Sequence, residues 1–118
     1  MSARPPADAP GVDDDAIAVL VEPGAARVIL RGDIDLAVAV RLGIELRRVF
    51  VDGHIEVEID LAAVTFMDSS ALGVLVGAQR QARIFRGSLL LVGPSASVRR
   101  LLALTAMDKV LDVREASG

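Results

Sequence analysis

At 118 residues the chain suits one domain that buries roughly two-thirds of its unfolded surface. Its hydrophobic share is 53%, but it has only three Phe and neither Tyr nor Trp, so the core must be packed with Val, Leu, Ile and Ala. A formal net charge of −3 gives no general attraction to nucleic acid or an anionic membrane. The absence of cysteine excludes disulfides, thiolate metal sites and a cysteine nucleophile, and suits a reducing cytoplasm.

Residues 1–15 are rich in Pro, Ala and Asp and lack the apolar stretch of a signal peptide. They are expected to form a disordered tail ahead of a single domain over residues 16–118. No run of about 18 apolar residues suits a transmembrane helix. Ala16 to Val21 has strand length and composition. Glu22-Pro23-Gly24-Ala25 carries turn chemistry, and Arg27 to Leu30 reads as a second strand, giving an antiparallel hairpin. Gly32-Asp33-Ile34-Asp35 then leads into a helix predicted over Leu36 to Phe50, with Asp35 as a natural N-cap. Ala39, Leu42, Leu46, Val49 and Phe50 should face the core, leaving Arg41, Glu45 and Arg48 as a solvated ion-pair face. Asp52-Gly53-His54 ends the helix, with Gly53 at the C-cap. His54, the only histidine, reads as a surface side chain without the companions a metal site needs.

Ile55 to Leu61 alternates strictly. Apolar Ile55, Val57, Ile59 and Leu61 are separated by Glu56, Glu58 and Asp60, the pattern of a half-buried strand. Three carboxylates on one side would be very costly to bury unpaired, so the second face of the sheet should be only partly covered. Ala62 to Met67 reads as a short connection. Asp68-Ser69-Ser70 follows, and the period changes. Ala71, Val74, Leu75, Ala78, Ala82 and Phe85 fall on one helical face. Arg86-Gly87 makes a turn, Ser88 to Val92 a strand, and Gly93-Pro94 starts a third helix with Pro94 in its first turn. Val98, Leu101, Leu102 and Thr105 mark that helix's inner face, and Val110 to Val113 a last strand. The order β-β-α-β-α-β-α-β defines an α/β domain with a mixed sheet, opened by the hairpin and continued through helical crossovers.

The chemistry concentrates where the central strand hands Asp68, Ser69 and Ser70 to a helix N-terminus. Asp and Ser there accept hydrogen bonds from first-turn N–H groups, and capping alone accounts for their presence. The same N–H groups and the helix dipole also favour added negative charge, so a serine there can carry a phosphate without melting its helix. Gly73 and Gly77 each cost about 1 kcal/mol of helix stability against alanine. They serve either close packing or a flat patch beside Ser69.

The string from Phe66 to Gly77, FMDSSALGVLVG, resembles the signature of STAS domains, and most closely that of bacterial anti-sigma factor antagonists. Gly32 to Asp35 resembles a second family motif, and Leu104 to Met107 the family's closing turn. Ala71 and Ala106 stand where the family commonly has glycine. The resemblance covers roughly Ala16 to Val113. It implies a STAS fold and a binding module with no cofactor of its own. In its unphosphorylated form such a protein binds an anti-sigma factor with serine kinase activity and releases sigma. Phosphorylation, here on Ser69, ends the binding, and a phosphatase restores it. ATP and magnesium would belong to the kinase. The resemblance also places Asp35 near the modified serine, and with Asp68, Ser70, Gly73 and Gly77 it forms the expected partner-binding set. The C-terminal helix of many family members is expected to be missing. The alternative is a STAS subunit, never phosphorylated, of a lipid-transport or signalling complex. An enzyme using Ser69 as nucleophile lacks a complete constellation, because the flanking string is not Gly-x-Ser-x-Gly and His54 is the only histidine.

Overall fold

The computed structural model describes residues 16–116, so the tail expected over residues 1–15 lies outside the described residues. Strands β1 (Ile17–Glu22) and β2 (Ala25–Ile34) form the antiparallel hairpin. Helix α1 (Leu36–Val51), β3 (Glu56–Met67), α2 (Ser69–Ile84), β4 (Ser88–Val92), α3 (Ala96–Thr105), a 3-10 turn (Met107–Lys109) and β5 (Val113–Arg114) follow. One five-stranded sheet has the order β1-β2-β3-β4-β5, parallel from β2 onward. Three helical crossovers join successive neighbours, and all three helices pack into one core against the sheet. Val57, Ile59 and Leu61 bury against them, in one core with Leu42, Leu46, Phe50, Leu75, Val98 and Leu102.

The uncovered face carries the carboxylates of β3, as the alternation requires. They are paired rather than bare. Arg27 reaches Asp60 at 2.9 Å and Glu58 at 3.7 Å, Arg114 reaches Glu58 at 3.0 Å, and Ser88 donates to Glu56 at 2.6 Å. These pairs are part-exposed and stabilise by at most about 1 kcal/mol each.

Several boundaries differ from the sequence expectation. The stretch from Ala62 to Met67 is not a connection but the second half of β3, and β2 likewise runs on through Gly32-Asp33-Ile34. The two halves are joined by register shifts between Ile29 and Arg31 and between Gly32 and Asp33. Bulges of this kind destroy the two-residue period while keeping the pairing. Helix α3 starts later than Pro94. Ser95 is the cap, accepting from the Val98 N–H at 3.3 Å, and Pro94 precedes it. The last strand is not Val110 to Val113, because Leu111 turns inward to 3% exposure and its N–H bonds Met107 O at 2.8 Å. Of the expected strand only Val113 pairs with β4, together with Arg114 beyond it. Phe85 is the C-cap of α2 rather than a member of its inner face, although its ring stacks on Phe50 with centroids 6.0 Å apart. Thr105 is exposed and bonds back to Leu101 O at 2.7 Å. On α1, Arg48 pairs with Glu45 at 3.5 Å and Arg41 is half-buried. Gly53 follows the Asp52 cap at φ +94, a conformation that favours glycine.

Candidate functional site at paired helix N-termini

The parallel strands β2 and β3 end side by side. Ile34 pairs with Met67, and the Asp68 N–H donates to Ile34 O at 3.4 Å. Each strand then passes straight into a helix through an aspartate. Asp35 accepts from the Val38 N–H at 3.1 Å and caps α1. Asp68 accepts from the N–H groups of Ser70 at 3.1 Å and Ala71 at 3.2 Å and caps α2. Two helix N-termini thus open at the same sheet end, one strand spacing apart, about 5 Å. Both dipoles present their positive ends there.

The two serines differ. Ser70 is half-buried, and its hydroxyl donates to Asp68 Oδ1 in a short hydrogen bond. Ser69 is exposed at the first helical position, and its hydroxyl has no hydrogen-bond partner among the described residues. The Asp68 carboxyl is held below its usual range, first by the Ser70 hydroxyl and then by the N–H groups of Ala71 and Ser70. Asp68 therefore stays ionised as a cap and keeps Ser70 occupied, leaving Ser69 as the hydroxyl available to a reagent from solution. Beside this site, Asp33 accepts from the Thr65 hydroxyl at 2.6 Å. A groove of about 650 Å³ runs past Arg31, Asp33, Asp35 and Thr65.

Of the expected partner-binding set, Asp35, Asp68 and Ser70 meet at this sheet end, while Gly73 and Gly77 lead away from it along α2. A methyl built on either glycine would touch nothing within 4 Å. The packing explanation for these two glycines therefore fails inside this chain. Gly43 on α1 is different, since a methyl there would meet Val74 at 3.7 Å. Ala71 is fully buried, so its methyl faces the core and not a partner. Ala106, in place of the common glycine, sits in the left-handed region at φ +60.

His54 lies at the other end of β3, where its Nδ1 is 2.8 Å from Glu22 O. The twelve residues of β3 span about 40 Å, so the histidine and Ser69 do not meet. No helix among the described residues is long and apolar enough to cross a membrane. Sequence reasoning did not find the outer stripe of α1, where Leu36, Val40, Ile44 and Val51 are each more than half exposed. Its signal was present as a second apolar spacing, at i, i+4, i+8 and i+15.

A single sheet backed on one face by three helices, with a capped serine at the end of its central strand, is the architecture of a STAS domain. The chain belongs to that family, since the family model described as "Mlab, STAS domain" matches residues 17–113. Within it the chain falls among the anti-sigma factor antagonists. It is 32% identical over 91 residues to the "Anti-sigma-B factor antagonist" of Listeria monocytogenes, covering 77% of this chain and 80% of the relative. An anti-sigma factor antagonist from Mycobacterium paratuberculosis superposes with TM-score 0.73 at 28% identity, over 83% of each chain. The unphosphorylated antagonist SpoIIAA shares the fold with TM-score 0.77 at 20% identity, over 86% of this chain and 89% of its own. The phosphorylated form of SpoIIAA, from Bacillus, gives TM-score 0.71 at 19% identity, over 86% and 92%.

Proposed function

We propose that this protein is a phosphorylation-controlled anti-sigma factor antagonist. Unphosphorylated, it binds an anti-sigma factor that is also a serine kinase, and sigma is released. Transfer of phosphate to Ser69 abolishes the binding, and a separate phosphatase resets the protein. The observation that carries this reading is the contrast between the free, exposed Ser69 hydroxyl and the Ser70 hydroxyl committed to Asp68.

The physics follows from position. A phosphate adds a charge of about −1.5 to −2. On Ser69 it lies at the positive end of the α2 dipole, so the fold tolerates it. Pressed against an acidic or apolar partner surface, the same group loses water and meets repulsion. Two unit charges 4 Å apart interact by about 4 kcal/mol at an effective dielectric of 20. A loss of about 2.7 kcal/mol already weakens binding roughly a hundredfold.

Phosphosite mapping, with partner affinities of three variants, tests the proposal. Ser69→Ala binds constitutively, Ser69→Asp binds about a hundredfold more weakly than wild type, and Ser70→Ala is still phosphorylated. A phosphate mapped to Ser70, or a Ser69→Asp variant that binds like wild type, overturns it. The alternative that the family resemblance leaves open is a STAS subunit, never phosphorylated, of a lipid-transport or signalling complex. In that case Ser69 carries no phosphate in cells and its substitution leaves sigma activity unchanged.

A further inference from the structure

Helix α1 has two apolar faces, and the core uses one. At 3.6 residues per turn, Leu36, Val40, Ile44, Arg47 and Val51 fall within an arc of about 80° on the solvent side. An amphipathic helix of a finished domain turns charges outward there. This arc borders the side facing α2, where Gly43 lies against Val74. On α2, Ser69, Gly73, Gly77, Arg80 and Ile84 fall within a similar arc, and Ile84 is 77% exposed. Between the helices runs a shallow trough of about 180 Å³, lined by Gly43, Leu46, Val74, Gly77, Ala78 and Gln81. Its rims are the aliphatic stripe of α1 and the bare backbone at Gly73 and Gly77.

The charge around the trough is one-sided. Helix α2 has no acidic residue, and the only acid of α1, Glu45, is paired with Arg48. Arg47 and Arg80 are exposed on the two rims and make no ion pair among the described residues. The Ser69 end of the same surface carries Asp35 and Asp68 instead.

We infer that the α1/α2 trough seats an amphipathic helix of the anti-sigma partner, with an apolar face and acidic flanks. This assignment rests on the antagonist reading above and extends its interface from Ser69 along both helices. The aliphatic stripe supplies contact area, the glycines admit a helix backbone closely, and Arg47 and Arg80 meet the acidic flanks. A flat anionic bilayer does not fit a trough whose Ser69 end is acidic.

Two synthetic peptides of about 18 residues test the inference, both with apolar residues at i, i+3, i+4 and i+7. One has glutamate flanks, the other lysine flanks. Each is titrated into the isotope-labelled full chain and followed by NMR. The glutamate peptide shifts Val40, Ile44, Gly73, Gly77 and Ile84 and binds at least about tenfold tighter than the lysine peptide. The double variant Arg47→Glu/Arg80→Glu, checked for an unchanged melting curve, reverses that preference. Equal affinities, no binding, or shifts confined to the sheet face overturn the inference. So does concentration-dependent self-association through these residues without peptide, or co-sedimentation with anionic vesicles that the charge reversal abolishes. The peptides carry no kinase, so failure here leaves the Ser69 variant test standing. Failure of the Ser69 test leaves the peptide preference readable.

Discussion

The two broad solvent-facing surfaces of this domain are built on opposite terms. The outer face of the sheet is charge-matched, with Glu58 and Asp60 bridged by Arg27 and Arg114 and Glu56 held by Ser88, although Leu20 stays 57% exposed beside Arg27. The outer face of the helices is not. Among the described residues it leaves aliphatic side chains in water, Arg47 and Arg80 without an ion pair, glycines with empty space above them and the Ser69 hydroxyl unbonded. Sheet carboxylates next to arginine gain most from each other, whereas α1 and α2 forgo stability that alanine and a charged outer face would supply. The helical face is therefore shaped by something other than folding.

The largest expected effect lies at the glycines. Gly73→Ala/Gly77→Ala should stabilise the isolated domain by up to about 2 kcal/mol, since each helical glycine costs about 1 and neither methyl meets an obstacle. The same variant should bind the anti-sigma partner more weakly. Denaturant unfolding and partner titration on one sample check both signs; a destabilised variant would mean the glycines serve packing after all.

On the sheet face the expected effects are smaller and of one kind. Glu58→Gln removes the contacts to Arg27 and Arg114 and should lower stability by less than about 1 kcal/mol, the loss shrinking as salt is added. Partner affinity should not change. A large drop in affinity would show that the sheet face is also an interface.

A finer probe sits at the junction of the two surfaces. The folded protein holds Asp68 below its ordinary carboxyl range, so below about pH 4 the unfolded chain binds more protons at this site. The stabilisation it provides is fully present above that range and is lost as the pH falls through the lowered folded value. Melting temperatures taken between about pH 5 and pH 2 should fall less steeply for Asp68→Asn, which can still cap but does not titrate. An identical acid limb in both proteins would show that Asp68 is not linked to folding.

Much of this was legible in the residues. The alternation from Ile55 to Leu61, the caps Asp35 and Asp68 and the inner face of α1 all rest on local periodicity or local hydrogen bonding, and the structure agrees with each. The second half of β3 was hidden because bulges erase the period that identifies a strand. The last strand was misplaced because Leu111 is a core plug in a turn, and a short apolar run reads alike in either setting. At the site, sequence located the serine pair but could not rank its members by geometry. Only the path of the backbone turns Ser70 toward Asp68 and Ser69 away. The outer stripe of α1 went unread because an inner stripe had already accounted for the helix.

In the proposed switch a phosphate on Ser69 acts on the interface and leaves the fold alone. The direct measurement compares the protein phosphorylated on Ser69 with the unmodified protein, by denaturant unfolding and by affinity for the anti-sigma partner. Stabilities should agree within about 0.5 kcal/mol, as for a change at an exposed position, while affinity falls about a hundredfold. Equal affinities, or a loss of binding matched by a comparable loss of folding stability, would contradict it.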